Sequence, residues 1–208
     1  MHPNPIYRQA ATDQNLSFAA DRGFGVLSVN GPEGPLAAHI PFVVKDAQTV
    51  ELHLVRSNPI ARTLGSPQPA LLAVTGADSY ISPDWYGLDD QVPTWNYIAV
   101  HLRGMLELLP QDALRPMLDD LSDAFEQRLL PKPIWKTDKV SAETMDRFMR
   151  MIVPLRLTIT SVDGTWKLGQ NKPDHARHAA ADGVEAHGIG SDTARIAALM
   201  HAATAKEA

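Results

Sequence analysis

The sequence predicts a mainly antiparallel β-protein with helices added late in the chain (α+β). Three observations carry this: six strand-like segments, Gly- and Pro-rich reversals between the early ones, and no regular strand and helix alternation of the parallel-sheet kind. A partly closed antiparallel barrel decorated by helices fits that order best. With 208 residues and 44% hydrophobic content, one elaborated domain over 1–208 with helical insertions and a C-terminal helical tail is expected.

The elements follow in order. Residues 24–29 and 36–44 read as two strands around Asn30, Gly31, Pro32, Glu33, Gly34 and Pro35, since Gly and Pro supply the dihedrals of a reversal. A second reversal at Asp46, Ala47 and Gln48 leads to Val50, Leu52 and Leu54, alternating with polar neighbours as in a one-sided strand. Asn58 as cap and Pro59 at the first helical position start a short helix containing Arg62. Residues 70–74 form a continuous apolar run, expected mid-sheet and buried on both faces. From Ile98 the pattern places Ile98, Val100 and Leu102 on one face and Tyr97, Ala99, His101 and Arg103 on the other, in a strand ending near Leu108. Asp112 is expected to cap a helix carrying Leu114, Leu118, Leu121, Phe125 and Leu129. Ser141 caps a second, with Met145, Phe148, Met149 and Ile152 on one side. Leu155, Leu157 and Ile159 mark a last strand, with Asp163 and Gly164 turning the chain back. Residues 172–190 read as a polar surface stretch in which His175 and His178 carry no chemistry, and Ser191 or Asp192 caps a final helix with a fraying Ala-rich end.

Composition removes several function classes. A formal charge of −5 gives no global attraction to polyphosphate. The densest basic group, Lys132, Lys136 and Lys139, is offset by Asp138 and Glu143, so direct DNA binding is not expected. Zero cysteines exclude disulfides and thiolate chemistry and fit a reducing compartment. No apolar leader follows residues 1–9 and the apolar runs are too short to span a bilayer, so a soluble cytoplasmic protein without membrane partners is expected. Strand histidines His39, His53 and His101 read as singly hydrogen-bonded residues, so no metal is expected. No serine has a nucleophile-elbow setting and no carboxylate pair stands out as an acid and base couple, which leaves hydrolysis unsupported.

What remains is a set of phosphate-capable donors, Arg56, Ser57, Asn58, Arg62 and Lys167, beside the flat surfaces of Trp85, Tyr86, Trp95, Tyr97 and Trp166. Together they suit a phosphorylated aromatic ligand. The same aromatics also suit a core or a subunit interface, and the residues alone leave both readings open.

Five strings then add a resemblance: His39-Ile40-Pro41-Phe42, Arg56-Ser57-Asn58-Pro59, Tyr80-Ile81-Ser82-Pro83-Asp84-Trp85-Tyr86, Val92-Pro93-Thr94-Trp95-Asn96-Tyr97, and Trp166-Lys167-Leu168-Gly169-Gln170-Asn171. In this order they resemble the PaiB-like family of FMN-binding negative transcriptional regulators, from Ile6 and Tyr7 to the Lys167 region. The resemblance implies a split β-barrel of the pyridoxamine phosphate oxidase type, a homodimer, and FMN as ligand. It places Arg56 and Lys167 on the phosphate, Ser57, Asn58, Asn96 and Gln170 on the ribityl chain or ring edge, Trp85 and Trp95 over the isoalloxazine, and Thr94 and Asn171 in the same site. Gly169 departs from the family pattern, where a serine is expected. The function implied is a flavin-sensing or flavin-using regulator. The alternatives are a flavin-dependent oxidoreductase acting on a small molecule and a haem-handling split barrel.

Overall fold

A computed structural model describes residues 1–205 of the chain. Its six antiparallel strands are β1 (Phe24–Gly31), β2 (Gly34–Asp46), β3 (Thr49–Val55), β4 (Gln68–Ile81), β5 (Thr94–Leu108) and β6 (Ile152–Lys167). They hydrogen-bond into a closed ring in the order β1, β2, β3, β6, β5, β4. The expected split-barrel class is therefore the observed one. The helices are α1 (Thr12–Arg22), α2 (Pro59–Thr63), α3 (Leu114–Glu126), α4 (Ala142–Met151), α5 (Asp174–His187) and α6 (Thr193–Ala202).

The chain divides into two compact units. One comprises Leu16–Val74 and Leu102–Val162, the other Met1–Asn15, Thr75–His101 and the segment from Asp163 onward. In the first, the expected hairpin forms, with Phe24 opposite Pro41 and Gly31 opposite Gly34. β1 pairs on its other side with β4, and β3 pairs with β6, Leu52 facing Leu155. Leu27, Phe42, Leu52, Leu72, Leu102, Leu106, Leu114 and Leu155 are buried almost completely and form this unit's core. α2 is capped as expected: the Asn58 side chain accepts the Ile60 N–H and Pro59 opens the helix. α4 is capped by Ser141, which accepts the Thr144 N–H.

In the second unit, Ile81, Ile98 and Val100 join Ala176, Ala180, Val184, Ile196 and Met200 in the interior. Arg177 is 1% exposed; its Nε donates to the Met200 carbonyl at 3.0 Å and Nη2 to the Ala203 carbonyl at 2.6 Å. It thus closes the C-terminus of α6, where unpaired carbonyls favour a cation.

Four expectations need correction. β4 is not buried on both faces: Ala70, Leu72 and Val74 are buried while Leu71 and Ala73 are only half-buried, an alternation that the Ala/Leu/Val run hides because all its side chains are apolar. Asp112 does not cap α3; it lies in a short 3-10 turn, and Ala113 precedes the helix without a capping side chain. Asp163 and Gly164 do not turn the chain, since β6 runs through them to Lys167. A Cβ on Gly164 would lie 2.0 Å from the Asn15 Oδ1, so this glycine serves close packing inside a strand. Residues 174–187 are helix rather than polar surface stretch, so His175 and His178 belong to α5. Gly183 interrupts its helical pattern because the Trp85 ring packs there, 2.5 Å from where a Cβ would stand. Helix α1 and the extension of β5 back to Thr94 are additions. Asp192 takes the N-cap position of α6 without a side-chain bond, and the end of the Ala-rich tail, from 206, lies outside the described residues. No described helix is long and apolar enough to cross a membrane.

Candidate functional site

The strand period decides which side chains of β5 turn inward. Because the strand begins at Thr94, the buried series Ile98, Val100, Leu102 extends back through Asn96, which is 1% exposed, to the half-buried Thr94. Trp95 and Tyr97 fall on the opposite face. Trp95 is 46% exposed and meets the Tyr80 ring edge-on at 6.2 Å.

Thr94 and Asn96 line a cavity of about 200 Å³ together with Tyr7, Tyr86, Asp90, Gln91, Val92, Lys167, Asn171 and Lys172. All belong to the second unit. The Lys167 ammonium donates to the Thr94 hydroxyl, and its Nζ stands 5.9 Å from the centre of the Tyr7 ring. Lys172 donates to the Gln91 side-chain oxygen and lies 5.1 Å from the centre of the Tyr86 ring. Both bonds go to neutral oxygens, and the carboxylate of Asp90 is the one anionic side chain among the residues that line the cavity. Burial, and then the Lys172 charge, push the Lys167 pKa below the ordinary lysine value. Burial and then Tyr7 push the Tyr86 phenol up to about 12, so it keeps its proton. Asn96 Nδ2 sits 3.4 Å from the Met200 sulfur, while its Oδ1 is buried with no hydrogen-bond partner. A cavity with two cations against one carboxylate, two aromatic rings and an unpaired amide oxygen suits an electron-rich aromatic molecule.

Other expected residues lie elsewhere. The amide of Gln170 is engaged within its own loop: Oε1 accepts from Leu168 N at 2.8 Å and Nε2 donates to the Trp166 carbonyl at 2.6 Å. Gly169 sits at φ +80, a left-handed conformation in which the serine of the family pattern would be strained. Trp85 packs against Gly183 of α5. Arg56, Ser57 and Asn58 belong to the first unit. There Arg56 Nε donates to the Arg150 carbonyl at 3.1 Å, and Nη2 reaches Gln111 Oε1 at 2.9 Å and the Ile152 carbonyl at 3.3 Å. Together with Gln111, Asp146, Met149 and Arg150 it lines a separate cavity. Ser57 is exposed, and the side-chain oxygen of Asn58 is spent on its cap. Lys172, Gln91 and Tyr7 were missed as site residues. Only the loop position of Lys172, five residues after Lys167, signalled it.

The closed antiparallel sheet with its added helices defines the class as a split barrel, and the ring-lined cavity with two lysines is compatible with a flavin. The comparisons agree. The chain matches, over residues 1–161, the family model described as "Putative FMN-binding domain", and it belongs to that family, whose cofactor is FMN. It is 30% identical over 175 residues to the "Protease synthase and sporulation protein PAI 2" of Bacillus subtilis (strain 168), covering 83% of each chain. Two solved structures share the fold. The FAD and heme binding protein from Mycobacterium smegmatis has a TM-score of 0.59 at 18% identity, covering 89% of this chain and 82% of its own. The flavocytochrome Anf3 from Azotobacter vinelandii has a TM-score of 0.58 at 15% identity, covering 80% of this chain and 72% of its own. Lys167, Asn171 and Lys172 lie beyond the family match, and of these only Lys172 enters the site on geometry alone.

Proposed function

We propose that this protein is a cytoplasmic FMN-dependent regulator that works as a homodimer and takes the flavin into the cavity of Thr94, Asn96, Lys167, Asn171 and Lys172. The observation that carries the reading is the pair of lysines bonded only to the neutral Thr94 and Gln91 oxygens beside an unpaired Asn96 carbonyl. Two half-buried ammonium groups facing a single carboxylate, Asp90, favour an electron-rich ligand. These residues fit a flavin. When bound, FMN supplies reversible redox chemistry. Lys167 and Lys172 attract the electron-rich parts of the cofactor, Tyr7 and Tyr86 supply ring surface, and Thr94 fixes the Lys167 ammonium.

At about 200 Å³ the cavity is smaller than the roughly 300–1000 Å³ of a complete small-molecule site, so it holds one end of FMN. The remainder is covered by the partner subunit. Val92 at the cavity wall, 72% exposed, and Trp95 supply apolar surface for that contact. Regulation runs through a small molecule or protein partner, not through direct DNA contact. Lys132 is paired with Glu126 and Lys136 with Asp123 at 2.6 Å, which neutralises two of the three lysines in the densest basic group.

The purified protein is expected to be yellow, with the visible spectrum of a flavin, and to scatter light as a dimer. A Soret band instead would replace FMN by haem. Steady consumption of a nicotinamide cofactor with a small-molecule acceptor would replace regulation by oxidoreductase activity.

A further inference from the structure

Asn96 holds the one amide in the flavin cavity whose two ends have different fates. The Nδ2 end is enclosed: it faces the Met200 sulfur at 3.4 Å, and Gly169 lies beside it, where a Cβ would meet Nδ2 at an ordinary contact distance of 3.6 Å. Met200 belongs to α6, whose C-terminus Arg177 pins. Turning the amide over would set oxygen against a thioether that can only accept, and would bury an unpaired N–H. The orientation is therefore chemically fixed. It leaves Oδ1 buried and without a partner, on a residue that lines the cavity.

The donor and acceptor pattern of oxidised flavin has one ring N–H, at N3, flanked by the C2 and C4 carbonyls. Its complement is an acceptor between donors. Among the cavity residues Asn96 and Asp90 supply acceptors, and the Lys167 and Lys172 ammonium groups and the Asn171 amide supply donors; Asn96 Oδ1 is the buried acceptor whose bond is unmade. A phosphate offers only acceptor oxygens once ionised, and a carbonyl aimed at it would repel it.

We infer that Asn96 determines specificity in this cavity: its Oδ1, oriented by Met200, accepts the N3–H of the isoalloxazine, so the cavity receives the pyrimidine edge of FMN rather than its phosphate. This rests on the flavin reading above and moves Lys167 from the phosphate to the ring carbonyls. Met200 is a positioning residue that acts through Asn96.

The test compares FMN with 3-methyl-FMN, which lacks the N3 proton, by fluorescence quenching on the flavin-free protein. The pair lumiflavin and 3-methyl-lumiflavin repeats the comparison without ribityl hydroxyls. The wild type is expected to bind each parent about tenfold or more tightly than its methylated analogue. In Asn96→Ala, which removes the acceptor and makes room for the methyl, the ratio falls to about one, FMN itself binding more weakly. Met200→Leu, similar in volume but unable to accept from Nδ2, is expected to lower the ratio while melting stays near wild type. A ratio near one in the wild type, or one undiminished in Asn96→Ala, overturns the inference while leaving the flavin reading in place. A ratio seen with FMN but lost with lumiflavin overturns it too, since an N3–H bond to Asn96 would discriminate the methylated ring with or without the ribityl chain. Failure of FMN itself to bind overturns the flavin reading beneath it.

Discussion

Two basic groups looked equivalent as phosphate ligands in the sequence, Arg56 in one unit and Lys167 in the other, and their surroundings separate them. Arg56 spends its donors on the carbonyls of Arg150 and Ile152 and on Gln111, tying the end of α4 to the start of β6. Lys167 and Lys172 bond neutral side-chain oxygens at a cavity and donate to no backbone carbonyl among the described residues. A cation marks a binding site when its surroundings leave its charge unspent, and marks a structural joint when backbone carbonyls have taken it up.

The comparison breaks most readily on Lys167. Lys167→Ala should weaken FMN binding by about 1.5–3 kcal/mol, roughly tenfold or more, while thermal melting changes little, because the half-buried ammonium gains little from a neutral hydroxyl. Equal FMN titrations in variant and wild type would remove it from the site. Arg56→Ala should behave in reverse, losing about 1 kcal/mol of stability by urea denaturation with flavin affinity within about twofold of wild type. A tenfold loss of affinity there would return Arg56 to the cofactor.

The pH dependences sharpen the same contrast. The Lys167 pKa is lowered, so the lysine loses its charge earlier on the alkaline side than an ordinary lysine. FMN affinity should therefore decline below the ordinary lysine range, and Lys167→Ala should flatten that decline. In the Arg56 unit, burial lowers the pKa of His53, whose Nδ1 has no hydrogen-bond partner. The unfolded chain then takes up the proton first, so this contribution is complete above about pH 6.5 and is lost as pH falls toward the folded pKa. His53→Gln should reduce that acid-side loss in denaturant titrations by a fraction of about 1 kcal/mol, the smallest effect of the set.

Legibility followed local signals. The first hairpin, the Asn58–Pro59 cap and the Ser141 cap were readable because each is decided by neighbours a few residues apart. Period two likewise placed Asn96 on the buried face once β5 was known to begin at Thr94. The failures were glycines whose reason is distant in sequence. Gly164 yields to Asn15 and Gly183 to Trp85, and in sequence both read as punctuation. The partners of Lys172, Gln91 and the Tyr86 ring, could not be read because the pairing joins a loop after β6 to one before β5. Trp85 and Gln170 carried the family strings, yet Trp85 packs against a helix and Gln170 holds its own loop.

The central claim is that FMN occupies the Lys167 and Asn96 cavity. Calorimetric titration of the flavin-free protein with FMN, run in parallel on the wild type and a Lys167→Ala/Lys172→Ala double variant of unchanged melting temperature, tests it most directly. The account predicts about one FMN per chain in the wild type and a loss of roughly a hundredfold or more in the double variant. Tight binding that survives both substitutions would place the flavin elsewhere and contradict the account.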